Sequence, residues 1–383
     1  MNRLWILSAA LHAYVALRLL PGVAASAGPA WAGALGLLLL ASAALVPQSL
    51  RRPKGKRSRA AQRRGDQLAW ASLGLMGLFS SLFVLTFLRD AGLVALALVA
   101  ALHGPALPPA WIAASAGGVV LAAVAVTLVG LWNARRPARV KTVDVPLRDL
   151  PPALQGFRIA QISDLHVGPT IKREYLQRVV DIVNALDVDV VAVTGDLVDG
   201  SVHELRDHVA PLGELRSRHG SFFVTGNHEY YSGADPWIAE LRRLGVRVLM
   251  NEHVVLRHGK APLVLAGVAD YNAHQFEPSH KSDPYMAVAG APQAAVKVLL
   301  AHQPRSANAA ADAGFHLQIS GHTHGGQFLP WNFFVRFQQP FTAGLHAIKD
   351  MLVYTSRGTG YWGPPKRFGA PSEITHLRLV AAP

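Results

Sequence analysis

The chain has 383 residues, a formal net charge of +13 and 51% hydrophobic residues. This hydrophobic content is high for a soluble domain and predicts a membrane portion. The sequence contains no cysteine, so disulfides, thiolate nucleophiles and cysteine-ligated zinc are excluded. Any metal ion must therefore be held by Asp, Glu, Asn or His side chains.

Long apolar runs occupy the first third of the chain. A fifth run, residues 91–103, has 13 residues and fits a buried or re-entrant segment as well as a crossing. The first run also resembles a signal peptide, but Arg18 inside it and the later runs favour a membrane span. Residues 1–134 are therefore predicted to form a transmembrane domain of four or five helices. The four main runs approach the roughly 20 residues that cross a bilayer and cover residues 4–20, 30–46, 68–88 and 111–132.

Basic charge is concentrated in this membrane part. Residues 1–140 hold 14 Lys and Arg against Asp66 and Asp90, whereas the other 243 residues hold 23 basic and 22 acidic side chains. The basic clusters are residues 51–64 and 134–139. A basic loop between spans is typical of the cytoplasmic side, which we favour over a nuclear-localisation or nucleic-acid interpretation, so no nucleic-acid binding is predicted.

The number of spans decides the side on which the rest of the chain lies. Four spans place both basic clusters in the cytoplasm, whereas five would place the second cluster outside. We therefore expect a multi-pass protein of the cell (inner) membrane, with its C-terminal domain in the cytoplasm.

After residue 150, short strand-like runs alternate with helical patterns. Residues 157–163, 188–195 and 221–226 resemble strands that end in polar or glycine-rich turns, and residues 172–186 and 203–218 show helical spacing. This βαβαβ order predicts an α/β sheet. We expect a linker over 135–150, a second domain over 151–383, and a lid or poorly ordered insertion over 269–294. Six later strand-like runs predict a second sheet packed on the first: residues 254–258, 262–268, 297–302, 317–320, 351–356 and 373–380.

Polar side chains follow five of the predicted strands at the point where each strand ends. Because ligands bind beyond the carboxyl ends of strands in open α/β sheets, we expect these side chains to converge. Residues two apart in extended backbone point to the same side, so each D-x-H or H-x-H pair could face one centre. The side chains are Asp164, His166, Asp196, Asn227, His228, His302, His322 and His324.

The ordered motifs D-x-H, G-D, G-N-H, a lone H and G-H-x-H resemble the calcineurin-like metallophosphoesterases over residues 155–380. The multi-span N-terminus with GNHEYY and GHTHGGQ is similar to the membrane-associated members. The resemblance implies two mixed β-sheets flanked by helices, and a role for His228 over the substrate phosphate, where it assists the leaving group. It also implies two metal ions that share Asp196, one held by Asp164, His166, Asp196 and His324, and the other by Asp196, Asn227, His302 and His322.

The physical chemistry of such a site is clear. Two cations screen the repulsion between an anionic nucleophile and a phosphate, and they hold a bridging water deprotonated as hydroxide. Mixed imidazole, carboxylate and amide ligands suit Mn, Fe or Zn better than Ca or Mg. His228 is the candidate general acid. Asp199 either orients His228 through a carboxylate–imidazole hydrogen bond or caps the following turn.

Three functional hypotheses follow. The leading one is a membrane-anchored phosphodiesterase acting on a phosphoester near the bilayer, such as a lipid or lipid-linked nucleotide. The second is a protein Ser/Thr-type phosphatase, although such enzymes carry GD-x-VDRG and Gly200 occupies the arginine position here. The third is a non-catalytic membrane sensor with a vestigial domain, which the intact set of predicted ligands disfavours.

Overall fold

The computed structural model describes residues 2–49, 59–293 and 295–382, so most of the first basic cluster lies outside the described residues. The chain divides into two compact units. The helical unit comprises Met1–Asn133 with Gly363–Phe368, and the sheet unit comprises Ala134–Trp362 with Gly369–Pro383.

Apolar helices form the helical unit. Within the described ranges, four helices are long and apolar enough to cross a membrane. Residues 68–88 and 91–103 belong to one 45-residue helix, so the fifth apolar run adds no separate helix. The helices are α1 (Asn2–Ala27), α2 (Pro29–Ser49), α3 (Arg59–His103) and α4 (Pro109–Arg135).

Large apolar side chains lie on the outside of these helices. Leu17 and Leu121 are 75% and 74% exposed, while Val15 and Leu19 are fully buried in the contacts between helices. An exposed apolar surface of this extent is expected where lipid replaces water as the surrounding solvent.

Several polar residues inside the predicted spans are paired with one another. His12 contacts the Ser42 hydroxyl at 2.9 Å, and Arg18 donates to both carboxylate oxygens of Asp90 at 2.8 and 3.1 Å. Such pairing offsets part of the energy needed to place polar groups within a membrane. It also explains why the first helix can contain an arginine.

A short segment from the end of the chain joins the helical unit. Gly363–Phe368 belongs to the same compact unit as helices α1 to α4. Its Lys366 is buried, with Nζ 2.8 Å from the Gly77 carbonyl oxygen, and the Arg367 N–H donates to the Gly130 carbonyl at 2.9 Å. The helical unit therefore includes residues that lie more than 200 positions after α4 in the sequence.

The described part of the sheet unit contains two six-stranded mixed sheets. The first has the strand order β1-β12-β2-β3-β4-β5 and the second has the order β10-β11-β9-β8-β7-β6. The strands are β1 (Arg139–Leu147), β2 (Arg158–Ile162), β3 (Val190–Thr194), β4 (Ser221–Val224), β5 (Arg247–Val248), β6 (Glu252–His258), β7 (Ala261–Gly267), β8 (Val296–Leu300), β9 (Leu317–Ser320), β10 (Gly344–Ile348), β11 (Met351–Thr355) and β12 (Glu373–Ala381).

Helices flank these sheets. Strand β3 shows how the layers pack, because alternate residues of a strand point to opposite faces. Val190 and Ala192 pack between the two sheets, whereas Val191 and Val193 pack against the outer helices. The expected sandwich of two mixed sheets between helices is confirmed. The helices of this unit are α5 (Arg173–Asn184), α6 (Val202–Val209), α7 (Asn227–Ser232), α8 (Ala234–Arg243), α9 (Pro284–Val288), α10 (Ala307–Asp312) and α11 (Trp331–Gln338).

The structure differs from the sequence-based expectations at the edge of the first sheet. The predicted linker, residues 135–150, contains strand β1, which pairs in parallel with β12 over nine residues. Residues 373–380 were expected in the second sheet but form β12 of the first sheet, between β1 and β2. Residues 269–293 form short helical turns and α9 rather than an irregular insertion.

The burial pattern of β1 gives a stability test. Val145 is fully buried between the sheets, while Val140 on the same strand is 41% exposed. We expect Val145→Ala to lower the free energy of unfolding of the sheet unit by about 2 kcal/mol, and Val140→Ala by less than about 0.5 kcal/mol. Denaturant unfolding of both variants measures the difference. Equal effects would mean that residues 139–147 behave as a linker.

Candidate metal centre

The polar strand ends meet at one edge of the two sheets. Strands β2, β3 and β4 are parallel neighbours in the first sheet, and β8 and β9 are parallel neighbours in the second. Parallel strands bring their carboxyl ends to the same edge. The structure brings seven of the eight sequence-predicted side chains into overlapping clusters, and Asn227 precedes one of them, His228, in the chain.

The backbone is in the left-handed region at five of these eight residues. This conformation is uncommon for residues other than glycine and clusters at functional sites. The D-x-H and H-x-H pairs were expected to be extended, and that expectation is wrong, because a strand requires negative φ. Leu165 and Thr323, between the paired residues, are buried. Positive φ occurs at Asp164 (54°), His166 (53°), Asp196 (52°), His322 (69°) and His324 (50°).

One cluster of possible metal ligands comprises Asp164, His166 and His324, whose ligand atoms all lie within 4.8 Å of one another. His324 Nε2 is 3.5 Å from Asp164 Oδ1 and 3.0 Å from His166 Nε2. Asp164 is held in place by the His322 backbone N–H, which lies 3.0 Å from each of its carboxylate oxygens.

A second cluster comprises Asp196, His302 and His322, also within 4.8 Å. His302 Nε2 lies 3.2 Å from Asp196 Oδ2 and 3.1 Å from His322 Nδ1. The same Asp196 oxygen is 3.8 Å from His166 Nε2 in the first cluster. Asp196 therefore lies between the two clusters, where a bridging ligand would be.

The residues present fit two divalent cations. The Asn227 side chain is buried, and its Oδ1 has no hydrogen-bond partner within the described part of the chain. A buried oxygen of this kind needs a partner, and a metal ion is one. Imidazole nitrogens that face each other at 3.0 and 3.1 Å are likewise arranged as donors to a common centre. The mixed nitrogen and oxygen donors suit a transition metal.

The electrostatics of the protein groups show how charge is balanced. Burial opposes ionisation of Asp196, but the nearby His302 and His228 hold its pKa well below the usual range. Burial alone would lower the pKa of His302, and Asp196 raises it well above its usual value. Burial and His302 lower the pKa of His322 to about 3, so this imidazole is neutral and its lone pair is free to bind a metal.

Asp199 lies beside two imidazoles. Its Oδ2 is 3.2 Å from His166 Nδ1, and its Oδ1 makes a short hydrogen bond with His228 Nδ1. His228 Nε2 is then left on the side of the cluster, 4.0 Å from Asp196 Oδ2. The N-cap of α6 is Ser201 rather than Asp199. The orienting role of Asp199 stays a prediction.

Glu229 is a buried residue of the site that our sequence analysis missed. Its carboxylate accepts backbone N–H groups of Gly226 at 2.7 Å, Asp196 at 3.0 Å and Leu197 at 2.8 Å. Burial and Asp196 raise the pKa of Glu229 to about 8, against the effect of these donors. The signal was present in GNHE, because a glutamate three residues after an N-cap commonly reaches back to that residue's backbone N–H.

Two glycines permit the close approach of the ligand turns. A Cβ on Gly226 would overlap the Asp196 carboxylate, and a Cβ on Gly321 would overlap Ser163 Oγ and Asp164 Oδ2. Glycine at these positions lets one turn pass directly over the ligand of another.

The fold and the centre define a class of proteins, the metal-dependent phosphoesterases built on a two-sheet sandwich. The family model described as calcineurin-like phosphoesterase matches residues 157–326. A relative from Aquifex aeolicus, "Uncharacterized metallophosphoesterase", is 31% identical over 247 residues, which cover 63% of this chain and 91% of the relative. The chain belongs to the calcineurin-like metallophosphoesterase family.

Two vertebrate relatives are more similar in sequence. Each is named "Transmembrane protein with metallophosphoesterase domain". The protein from Bos taurus is 42% identical over 275 residues, and that from Danio rerio is 40% identical over 261 residues. The alignments cover 69% and 66% of this chain but only 62% and 60% of the relatives, so the chain spans about three fifths of their length.

The buried position of Glu229 gives a test of how the ligand turns are supported. Glu229→Gln would point an amide N–H₂ at backbone donors and leave at least one of them unpaired. We expect a loss of about 1–3 kcal/mol in the free energy of unfolding of the sheet unit. The exposed Glu252→Gln is the matched control and should change it by less than about 0.5 kcal/mol. Denaturant unfolding measures both, and equal stability of the two variants would contradict the supporting role.

Proposed function

We propose that this chain is a membrane-anchored dinuclear-metal phosphohydrolase with a preference for phosphodiesters. The observation that carries the proposal is the position of Asp196 between two ligand clusters, with His228 beside it. One ion would be held by Asp164, His166, Asp196 and His324, and the other by Asp196, Asn227, His302 and His322. Manganese, iron or zinc fits this donor set.

When bound, the two ions would supply a nucleophilic water and neutralise charge on the phosphate. The protein groups do the rest. Asp164, Asp196 and the surrounding imidazoles would fix the ion positions. At five of the proposed ligands, the left-handed backbone helps to direct the donor atoms inward. Since most of these side chains are buried, the surroundings are shielded from water and favour electrostatic stabilisation.

His228 is the proposed general acid. Its Nδ1 is occupied by Asp199, which directs Nε2 towards the centre. A proton on Nε2 would pass to the departing alkoxide oxygen, leaving a neutral imidazole and an alcohol. Asp199 is the proposed positioning residue, because its other oxygen contacts His166 and so aligns the acid with one of the ligands.

The proposed substrate is a phosphoester at the membrane surface, either a lipid or a lipid-linked molecule, with the sheet unit in the cytoplasm. Helix α4 ends at Arg135 and β1 begins at Arg139, so three residues separate a candidate span from the first strand of the sheet unit. This short connection supports a site close to the bilayer. An even number of spans would keep the sheet unit on the side of the basic cluster.

Turnover of defined substrates by the full-length protein in detergent tests the function. After removal of metal by chelator and return of Mn²⁺, we expect hydrolysis of a nitrophenyl phosphodiester to exceed that of a nitrophenyl monoester or a phosphopeptide. His228→Ala should lose about 10²- to 10⁴-fold in kcat on a diester with an alkyl leaving group. It should lose less with a nitrophenolate, which leaves without a proton.

The exposed His203→Ala is the matched control and should retain full activity. Preference for the phosphopeptide would favour a protein phosphatase. A lack of metal-dependent turnover with every substrate would favour a non-catalytic sensor.

The role of Asp199 has its own test. We expect Asp199→Asn to lower kcat on the alkyl diester about 10- to 100-fold at saturating Mn²⁺, as is typical when a residue that orients ligands is changed. The loss should depend on the leaving group as it does in His228→Ala, and bound metal measured by elemental analysis should be unchanged. Asp207→Asn, an exposed position, is the control. Equal losses with alkyl and nitrophenyl leaving groups would contradict an action through His228.

A further inference from the structure

Helix α11 (Trp331–Gln338) carries its aromatic side chains on the outside. Every residue of this helix keeps part of its surface exposed. The four side chains that we define as the aromatic face are Trp331 (40% exposed), Phe333 (56%), Phe334 (51%) and Phe337 (79%). A helix on a water-soluble surface normally turns such side chains towards the core.

The less exposed side of α11 carries Asn332 and Val335 and is held in place by specific contacts. Asn332 packs so closely on Gly326 that a Cβ on that glycine would overlap the Asn332 Cα. After the helix, Gln339 is buried, and its Nε2 donates to Gln303 Oε1 at 3.0 Å. Because these contacts fix the rotation of the helix, the aromatic face cannot turn inward without breaking them.

The aromatic face is linked to the turn that carries two proposed metal ligands. Gly326 belongs to the same turn as His322 and His324. The Trp331 ring lies 6.2 Å from the ring of Trp362, edge to face. Trp362 exchanges two hydrogen bonds with Gln327, at 2.9 Å through its N–H and at 2.8 Å through its carbonyl oxygen. These contacts therefore connect the aromatic face to the turn that carries His322 and His324.

The geometry points to a lipid bilayer as the partner of this face: we propose that Trp331, Phe333, Phe334 and Phe337 enter the boundary between headgroups and acyl chains. Aromatic side chains beside an arginine are typical of helices that lie in this boundary. Arg336 stacks over the Phe333 ring at 5.6 Å, and its long side chain can extend to a lipid phosphate.

The chain itself brings a bilayer within reach. Three residues separate α4 from β1. At the other end, the residue after Trp362 begins Gly363–Phe368, which belongs to the unit of candidate spans. The chain thus passes between the sheet unit and the unit of candidate spans at three points, and one of them directly follows a tryptophan that contacts α11. These connections favour a bilayer over a second copy of the chain or a soluble protein as the partner of the aromatic face.

Depth-dependent quenching tests the contact directly. Because the chain has no cysteine, Phe337→Cys can be labelled alone with an environment-sensitive fluorophore and reconstituted into phosphatidylcholine–phosphatidylglycerol vesicles. We expect lipids with a nitroxide near the headgroup to quench this label. The matched control is Tyr285→Cys on α9, 54% exposed, which should stay unquenched. An unquenched label at 337, or one shielded only through self-association of the chain, would overturn the proposal.

A second readout concerns catalysis and rests on the proposed function. We expect Phe333→Ser with Phe337→Ser to lower turnover of a vesicle-borne phosphodiester about tenfold and to leave turnover of a soluble diester unchanged. The control pair is Tyr285→Ser with Met286→Ser, also exposed. Equal loss on both substrates would contradict a role in presenting lipid. Failure of the proposed function would abolish turnover in the wild-type protein while leaving the quenching result intact.

Discussion

The main constraint on the sheet unit is that it holds two carboxylates close together in its interior, away from water. Asp164 and Asp196 are almost completely buried in adjacent turns, and each opposes ionisation of the other. Histidines lie beside both carboxylates, and the amide oxygen of Asn227 is buried without a hydrogen-bond partner among the described residues. Such a collection is unfavourable for folding unless cations or protonated imidazoles balance it. The calcineurin-like metallophosphoesterases meet this condition with divalent metals. The fold must therefore hold these carboxylates and imidazoles in positions where cations can bind.

The backbone of the ligand turns holds these side chains in place. Five of the ligand residues have positive φ, which is unfavourable for side chains with a Cβ. The strain persists because the turns are tied to one another. Glu229 collects N–H groups from two separate turns, Asp164 accepts from the turn of His322, and Gly226 and Gly321 allow turns to cross at close range. The parallel pairing of β2, β3 and β4 then fixes where those turns begin. The positions of the candidate ligands thus depend on contacts between turns of both sheets and not on any single sequence motif.

Much of this arrangement could be predicted from the sequence, and the failures have physical causes. Val190–Thr194 is a short run of β-branched residues before Gly-Asp, so both the strand and its ligand were evident. The positive φ of His166 or His324 could not be predicted, because it results from contacts with distant turns. Strand β1 was assigned to a linker because its first residues, such as Val140, are exposed and give no clear apolar pattern, and its pairing with β12 makes it a strand. Glu229 was overlooked because its partners are backbone groups. The outward aromatic side chains of α11 lacked a sequence signal, since a pattern shows which residues share a face but not which face is covered.

The pairing of β1 with β12 has a consequence for the order of assembly. Asp144 on β1 and Arg378 on β12 form a doubly hydrogen-bonded ion pair across 234 positions of sequence. During synthesis, β1 emerges directly after α4, long before its neighbour exists. Until β12 is made, one hydrogen-bonding edge of β1 and one of β2 remain unpaired. Contacts of such long range slow folding and expose strand edges to wrong partners. The synthesis of this protein therefore includes an interval in which helices α1 to α4 have been made while the first sheet still lacks its second strand, β12.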